Sequence, residues 1–361
     1  MPQVASLYEQ VARSGSTTAP PGLAAYFEDT FFGDPWADKE IPSLVYVADG
    51  RIKGFLGSSV RRFVFDGQPA RMAVSGQLVT EPSVRSQAAG AFLVNEYLAG
   101  SQDFTVTDTA SSDAQRLWEG LGGRTAHLHS VGWVRVFRPW RFGAELRARR
   151  RNAEGVPAPI RRVLSGLDAA SVRAAAGRLG VPAAGTRSEE LSARAVADHL
   201  PDVVGGLRLR PAYEDERFLD WLLRELARVR KRGALVARLV HGADGRVRGW
   251  YVYYLPAGGI GQVLQVAAGG RGVDDVLDDL FQDARSRGAS ALQGRVEARL
   301  LGPLSRRHCV LHASGYLALV HAPREEILGS IQSGQALVTR LEGDWWMGHH
   351  LEPFADEPGR G

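Results

Sequence analysis

The chain has 361 residues and a mass of 39.1 kDa, more than one ordinary core absorbs, so two domains are expected. With 44% apolar residues and a net charge of only +4, from 44 Lys+Arg against 40 Asp+Glu, the composition excludes wholesale disorder and does not demand nucleic acid; the cations are nearly all Arg, whose planar fork suits an anionic ligand. The single Cys309 excludes an intrachain disulfide, no run of about 18–20 apolar residues is present, and residues 1–12 lack the basic start and apolar run of a secretion signal, so a cytoplasmic protein without membrane partners is expected.

In chain order, an initial helix breaks at residues 14–22 (SGSTTAPPG), and a second helix follows near 23–32. Residues 43–48 and 51–57 alternate as strands about Asp49-Gly50, and 61–65 and 70–78 form a second pair about Asp66-Gly67. After Val79 the period turns helical as far as Gly100. A short strand at 104–107, a helix at 114–121 stopped by Gly122-Gly123, and a strand at 127–137 complete a first module. Residues 139–159 hold Arg141, Arg147, Arg149, Arg150 and Arg151 and end in Val156-Pro157-Ala158-Pro159, which reads as a junction. Residues 161–200 are Ala-rich and read as short helices. From Gly206 the order recurs: helix 218–229, strands 235–239 and 247–255, strand 263–267, helix 273–287, strand 291–296, helix 299–307 and strand 316–321. Residues 341–347 (LEGDWWM) read as a final strand with aromatic packing.

The most informative stretch is 78–93, LVTEPSVRSQAAGAFL, where a strand ends, a proline follows and a helix opens on small residues. Free N–H groups at such a helix start point at an anion, and no acid lies between Arg85 and Asn95 to oppose one. A second stretch, 107–124 (TDTASSDAQRLWEGLGGR), carries Ala114 and the close Leu121-Gly122. The first stretch resembles the acyl-donor loop of the GNAT N-acyltransferases, Arg/Gln-x-x-Gly-x-Gly/Ala after a strand ending near Pro, with Ala88 where the first glycine is usual. The second is similar to that family's second signature, with Ser111 for its Asn, Trp118 for its Tyr and Gly123 for its closing Phe. Trp118 has no ionisable hydroxyl, so it cannot protonate a leaving thiolate; it walls the donor channel or packs in the core.

The resemblance implies an α+β (α/β) architecture of two GNAT-like modules in tandem, each a mixed, mainly antiparallel, splayed sheet flanked by helices. The expected boundaries are 1–145 for the donor-binding module, 146–205 for an Arg-rich linker with short helices, and 206–361 for a degenerate second module. It implies acetyl-CoA or another acyl-CoA as co-substrate, and no metal. The implied donor contacts are Leu78, Val79 and Thr80 along the strand, then Arg85, Ser86, Gln87, Ala88, Ala89, Gly90 and Ala91, with Ser111 and Trp118 nearby. Glu81 and Asp108, at the ends of the two central strands, are the candidate bases for an amine. In the second module, Asp274 and Asp275 follow the glycines of 266–275, and like charges about 4 Å apart cost roughly 4 kcal/mol, so no second donor is expected there. Three activities remain open. One is acyl transfer from acyl-CoA to a small amine or amino-acid-like acceptor; another is transfer from an acyl carrier protein or aminoacyl-tRNA, met by the arginines of 135–151. The third is a non-catalytic pair that binds CoA or a partner.

Overall fold

The computed structural model describes residues 1–151, 156–181, 185–270 and 272–348, with Arg85, Ser86 and Ala158 described by their backbone only. Helices α1 (Pro2–Ala12) and α2 (Pro21–Phe31) each start on a proline, whose missing N–H costs nothing in a first turn. Strands β1 (Leu44–Ala48), β2 (Arg51–Phe65) and β3 (Gln68–Thr80) form a meander. Its two turns place Asp49-Gly50 and Asp66-Gly67 at positive φ, as their sequence predicts. Next come α3 (Ala89–Leu98), β4 (Phe104–Ala110), α4 (Ser112–Gly120) and β5 (Arg124–Thr125). The chain continues through β6 (Val131–Val136), α5 (Pro139–Arg150), α6 (Ala158–Ala174), α7 (Ala176–Leu179), β7 (Arg187–Glu190) and α8 (Ala193–Val204). Then follow β8 (Leu209–Pro211) and α9 (Glu216–Arg228). They lead to β9 (Ala234–His241), β10 (Val247–Leu255), β11 (Ile260–Ala268), α10 (Gly272–Ser286) and β12 (Ala291–Arg295). The last elements are α11 (Leu301–Arg306), β13 (Val310–Ala313), β14 (Leu317–His321) and α12 (Glu325–Ser333).

These elements build two compact units, each on a seven-stranded sheet. Unit 1 takes Met1–His127, Leu207–Lys231 and the chain from Tyr316; unit 2 takes Leu128–Gly206 and Arg232–Gly315. The first sheet runs β1-β2-β3-β4-β14-β5 with β8 added on β2, and the second runs β13-β6-β12-β11-β10-β9-β7. Each is antiparallel except for one central parallel pair, β3–β4 and β11–β12. This is the mixed, helix-flanked architecture expected.

The units are not the consecutive segments 1–145 and 206–361. The strand expected at 127–137 to close the first module is β6, and it lies in the second sheet between β12 and β13. Its counterpart between β4 and β5 is β14, from near the end of the chain. A short apolar strand such as LALVH fits any slot with two open edges, and its residues carry no address for one slot over another. Segment 146–205, expected as a linker, supplies unit 2 with helices and with the edge strand β7, paired to β9.

One long β2 replaces the two strands expected at 51–57 and 61–65. It passes through Gly57, where the register with β3 slips. A Cβ at Gly57 would lie 2.5 Å from the Phe31 ring, so the ring of α2 occupies the space a side chain would need. Gly57→Ala is expected to lower stability by about 1–3 kcal/mol through overpacking, read as a shift of the urea midpoint at unchanged slope.

Candidate functional site: the wedge between β3 and β4

The parallel ladder of unit 1 has three residue pairs, Met72–Phe104, Ala73–Thr105 and Val74–Val106, and stops there. On its other edge β3 stays paired to β2 as far as Thr80 opposite Gly54. Gln77 stands at φ 45°, a left-handed conformation that turns β3 just where the ladder ends. Residues 75–80 therefore offer an unpaired backbone edge to a wedge, with Leu78, Val79 and Thr80 at its outer end.

The wedge opens onto the start of α3. Pro82–Gln87 makes a 3₁₀ turn, Ala88 sits at φ 53° and ψ 29°, and the helix begins at Ala89. The N–H of Phe92 gives the first bond, 2.9 Å to Ala88 O, so the N–H groups of Ala89, Gly90 and Ala91 precede the helical ladder. Gln87 and Ala88 are exposed, Gly90 and Ala91 half-buried and Ala89 buried, so the turn is accessible on either side of Ala89. Its first turn holds no acid. Tyr46 donates 3.0 Å to Gln87 Oε1 and fixes that side chain at the edge of the turn. Ala88 takes the left-handed conformation where a glycine was expected, at a cost of about 1 kcal/mol. Arg85 and Ser86 lie in the turn by their backbone.

Two of the expected donor contacts have other duties. Ser111 caps α4, its Oγ accepting from Ala114 N at 3.3 Å. Trp118 is 2% exposed in the core between α3, α4 and the sheet, with Gly123 against its ring, so it is packing and not a channel wall. Glu81, at the end of β3, is half-buried, and its Oε1 accepts from the Ser83 hydroxyl at 2.5 Å.

Asp108 is buried, two residues past the last pair of the ladder, and it has a partner that the sequence reading missed. Residues 341–347, expected as a strand, form buried turns that bring Asp344 to β4. The hold is reciprocal. Asp108 N donates 2.9 Å to Asp344 Oδ1, while Asp344 N and Trp345 N each donate 2.9 Å to Asp108 Oδ1. Thr109 Oγ1 donates to the other oxygen of Asp344. Burial, and then the neighbouring Asp108, push the Asp344 carboxyl well above the usual carboxylate range. Gly343 is required here, because a Cβ would lie 2.6 Å from the Asp108 carboxyl. The same segment reaches β3, with Met347 Sδ 3.8 Å from the Cβ position of Gly76. It ends with Gly348 N donating 2.7 Å to the Tyr26 hydroxyl on α2. Residues 343–347 thus cross the back of the wedge. Apart from this, a groove of about 630 Å³ lined by Trp36, Lys39, Arg62 and Arg71 lies at the opposite, hairpin end of β2 and β3.

Unit 2 has the same ladder, Ile260–Ala291, Gly261–Leu292 and Gln262–Gln293, but its wedge is filled. The nearly buried Arg299, ion-paired to Glu297 at 2.7 Å, donates to Val266 O and, at 3.2 Å, to Ala268 O. Those carbonyls lie on β11, the counterpart of the edge left open in unit 1. The acids of α10 are neutralised locally, Asp274 by Arg306 and Arg307 and Asp275 by Arg248. Arg271 lies outside the described residues. Among the described residues no three potential metal ligands gather. His129 is buried in a 3₁₀ turn, not on a strand face with His127, and burial pushes its pKa down to about 3. The Cys309 thiol is pushed up to about 12 by burial, which disfavours its thiolate.

No family model and no curated protein matches this chain. Its fold is similar to solved structures. One is a GCN5-related N-acetyltransferase from Anabaena variabilis, with a TM-score of 0.55 and 12% identity over 90% of this chain and 70% of that one. Another, from Kribbella flavida, gives 0.51 and 13% over 89% and 69%. The architecture is therefore similar to that of these GCN5-related N-acetyltransferases.

The carboxyl pair predicts a pH signature. A carboxyl raised in the folded state adds stability at low pH that is lost as pH climbs through its folded pKa. Asp344→Asn should flatten this dependence and keep the clasp. Asp344→Ala strands the Asp108 N–H and the Thr109 hydroxyl and should cost about 2 kcal/mol or more. Unfolding curves of the three proteins across pH 4–9 read both effects.

Proposed function

We propose that unit 1 is an N-acyltransferase that takes an acyl group from acyl-CoA and delivers it to the amine of a small acceptor. The observation that carries this is the edge of β3 running into the acid-free start of α3, exposed at Gln87 and Ala88 and half-buried at Gly90 and Ala91. In this reading the amides of α3 hold the pyrophosphate, with Arg85 adding positive charge from the turn. The β3 edge at Leu78, Val79 and Thr80 clasps the pantetheine arm and hydrogen-bonds the thioester carbonyl as negative charge develops on it.

The acceptor nitrogen attacks that carbonyl, the C–N bond forms and the C–S bond breaks. Asp108 is the proton acceptor. Asp108, beside the raised Asp344 carboxyl, takes up the proton the amine gives up and returns it to the departing sulfur. Trp118, buried and without an ionisable group, takes no part in that return. Glu81 stands farther out on the strand end, held by Ser83, and acts on the surface of the turn.

Calorimetric titration with CoA should give one site per chain, weakened about tenfold or more by Gly90→Asp, which sets a carboxylate on the amide patch. With acetyl-CoA and a panel of amines, thiol release should fall about 10²-fold or more in kcat for Asp108→Asn and stay within about twofold for Glu81→Gln. Absence of any CoA binding contradicts the donor site. CoA binding without thiol release from any amine assigns unit 1 as a binding module.

A further inference from the structure

The helical hairpin α5–α6 of unit 2 carries a surface that the acyltransferase reading does not use. Helix α6 is seventeen residues long, yet Asp168 is its one buried residue among those whose side chains are described. It rests on α5 through that carboxylate, which accepts 2.8 Å from Trp140 N and pairs with Arg141 at 3.4 Å. Trp140 Nε1 donates 3.0 Å to Ser171 Oγ across the same contact. The outer side of α6 is left with Ile160 49%, Val163 67% and Leu167 42% exposed, at the i, i+3, i+7 spacing of a helical stripe. Trp140, 51% exposed, extends the stripe through its bond to Ser171, one turn beyond Leu167.

The charge around this stripe has one sign. Arg147, Arg149, Arg150, Arg151, Arg161 and Arg162 are all exposed, and no ion pair among the described residues engages them. The described acids of the hairpin face inward. Asp168 is buried, and Glu145 is half-buried against Ser290, with burial raising its carboxyl. A stripe of exposed aliphatic residues and a tryptophan, framed by exposed guanidinium groups, calls for an anionic partner that also accepts apolar side chains. A second copy fails on charge, because a twofold contact sets arginines against arginines. Nucleic acid takes the arginines and leaves Ile160, Val163 and Leu167 in water.

We infer that the α5–α6 hairpin docks on an anionic phospholipid bilayer, its aliphatic stripe and Trp140 entering the headgroup region while the arginines engage lipid phosphates. No described helix is long and apolar enough to cross a membrane, so the contact is peripheral. Guanidinium groups bind phosphate through paired donors, and each basic residue near an anionic surface strengthens binding about fivefold. This inference stands independently of acyl transfer.

Co-sedimentation of the full chain with vesicles tests it. Vesicles of phosphatidylcholine with about a third phosphatidylglycerol should bind at least tenfold more protein than pure phosphatidylcholine, less so as salt rises. Val163→Gln with Leu167→Gln should lower binding about tenfold, and so should Arg149→Ser with Arg150→Ser, Arg161→Ser and Arg162→Ser. All these positions are exposed, and unchanged circular dichroism and melting establish that the variants remain folded. No binding to the anionic vesicles overturns the inference, as does binding indifferent to both variant sets. Salt-sensitive retention on RNA or on an acidic carrier protein, without vesicle binding, overturns it equally.

Discussion

In unit 1 the parallel ladder between β3 and β4 ends at Val74–Val106, and the backbone groups of β3 that face away from β2 beyond that point must find another partner or water. Unit 2 meets the same constraint after Gln262–Gln293 and satisfies it internally, with the Arg299 guanidinium on the carbonyls of Val266 and Ala268. The two sheets share one topology and differ in what occupies the gap. A wedge filled by a buried ion pair is a structural element, because removing either partner leaves a charge without compensation. A wedge without such a pair, next to a helix start with three amides ahead of its first hydrogen bond, has the donors that the proposed donor site requires.

The terminal segment gives that site its rear wall. Asp344 and Asp108 exchange backbone and carboxyl hydrogen bonds across 236 residues of sequence, and the segment then continues to Gly76 and Tyr26. Burial and the neighbouring Asp108 raise the Asp344 carboxyl, while backbone N–H groups and the Thr109 hydroxyl donate to the two carboxyls. The same groups can therefore serve both the fold and the chemistry. Gly343, with no room for a side chain, sets how closely the two carboxyls approach.

Local features of this architecture were legible in the sequence. The turns Asp49-Gly50 and Asp66-Gly67, the proline-led helices and the small residues at the start of α3 are each specified by residues within a few positions of one another. Features set by distant residues were not. Gly57 to Val60 looked like a break in β2, because nothing nearby in sequence announces the Phe31 ring that fills the space over Gly57. The exchange of β6 and β14 between sheets is decided by open edges, and the period-2 pattern is the same in either slot. Asp108 was legible as a candidate base from its place at a strand end, but its partner was not, since residues 341–347 read as a strand. The fate of Trp118 turned on which face of α4 meets the sheet, and that face is the core.

Hydrogen exchange with and without CoA tests most directly whether the gap in unit 1 is the donor site. The account predicts that saturating CoA slows exchange about tenfold or more at residues 78–80 and 89–91 and leaves residues 263–268 and 273–276 unchanged. Protection that falls on β11 and α10, or binding of CoA that leaves the start of α3 exchanging at its free rate, would contradict it.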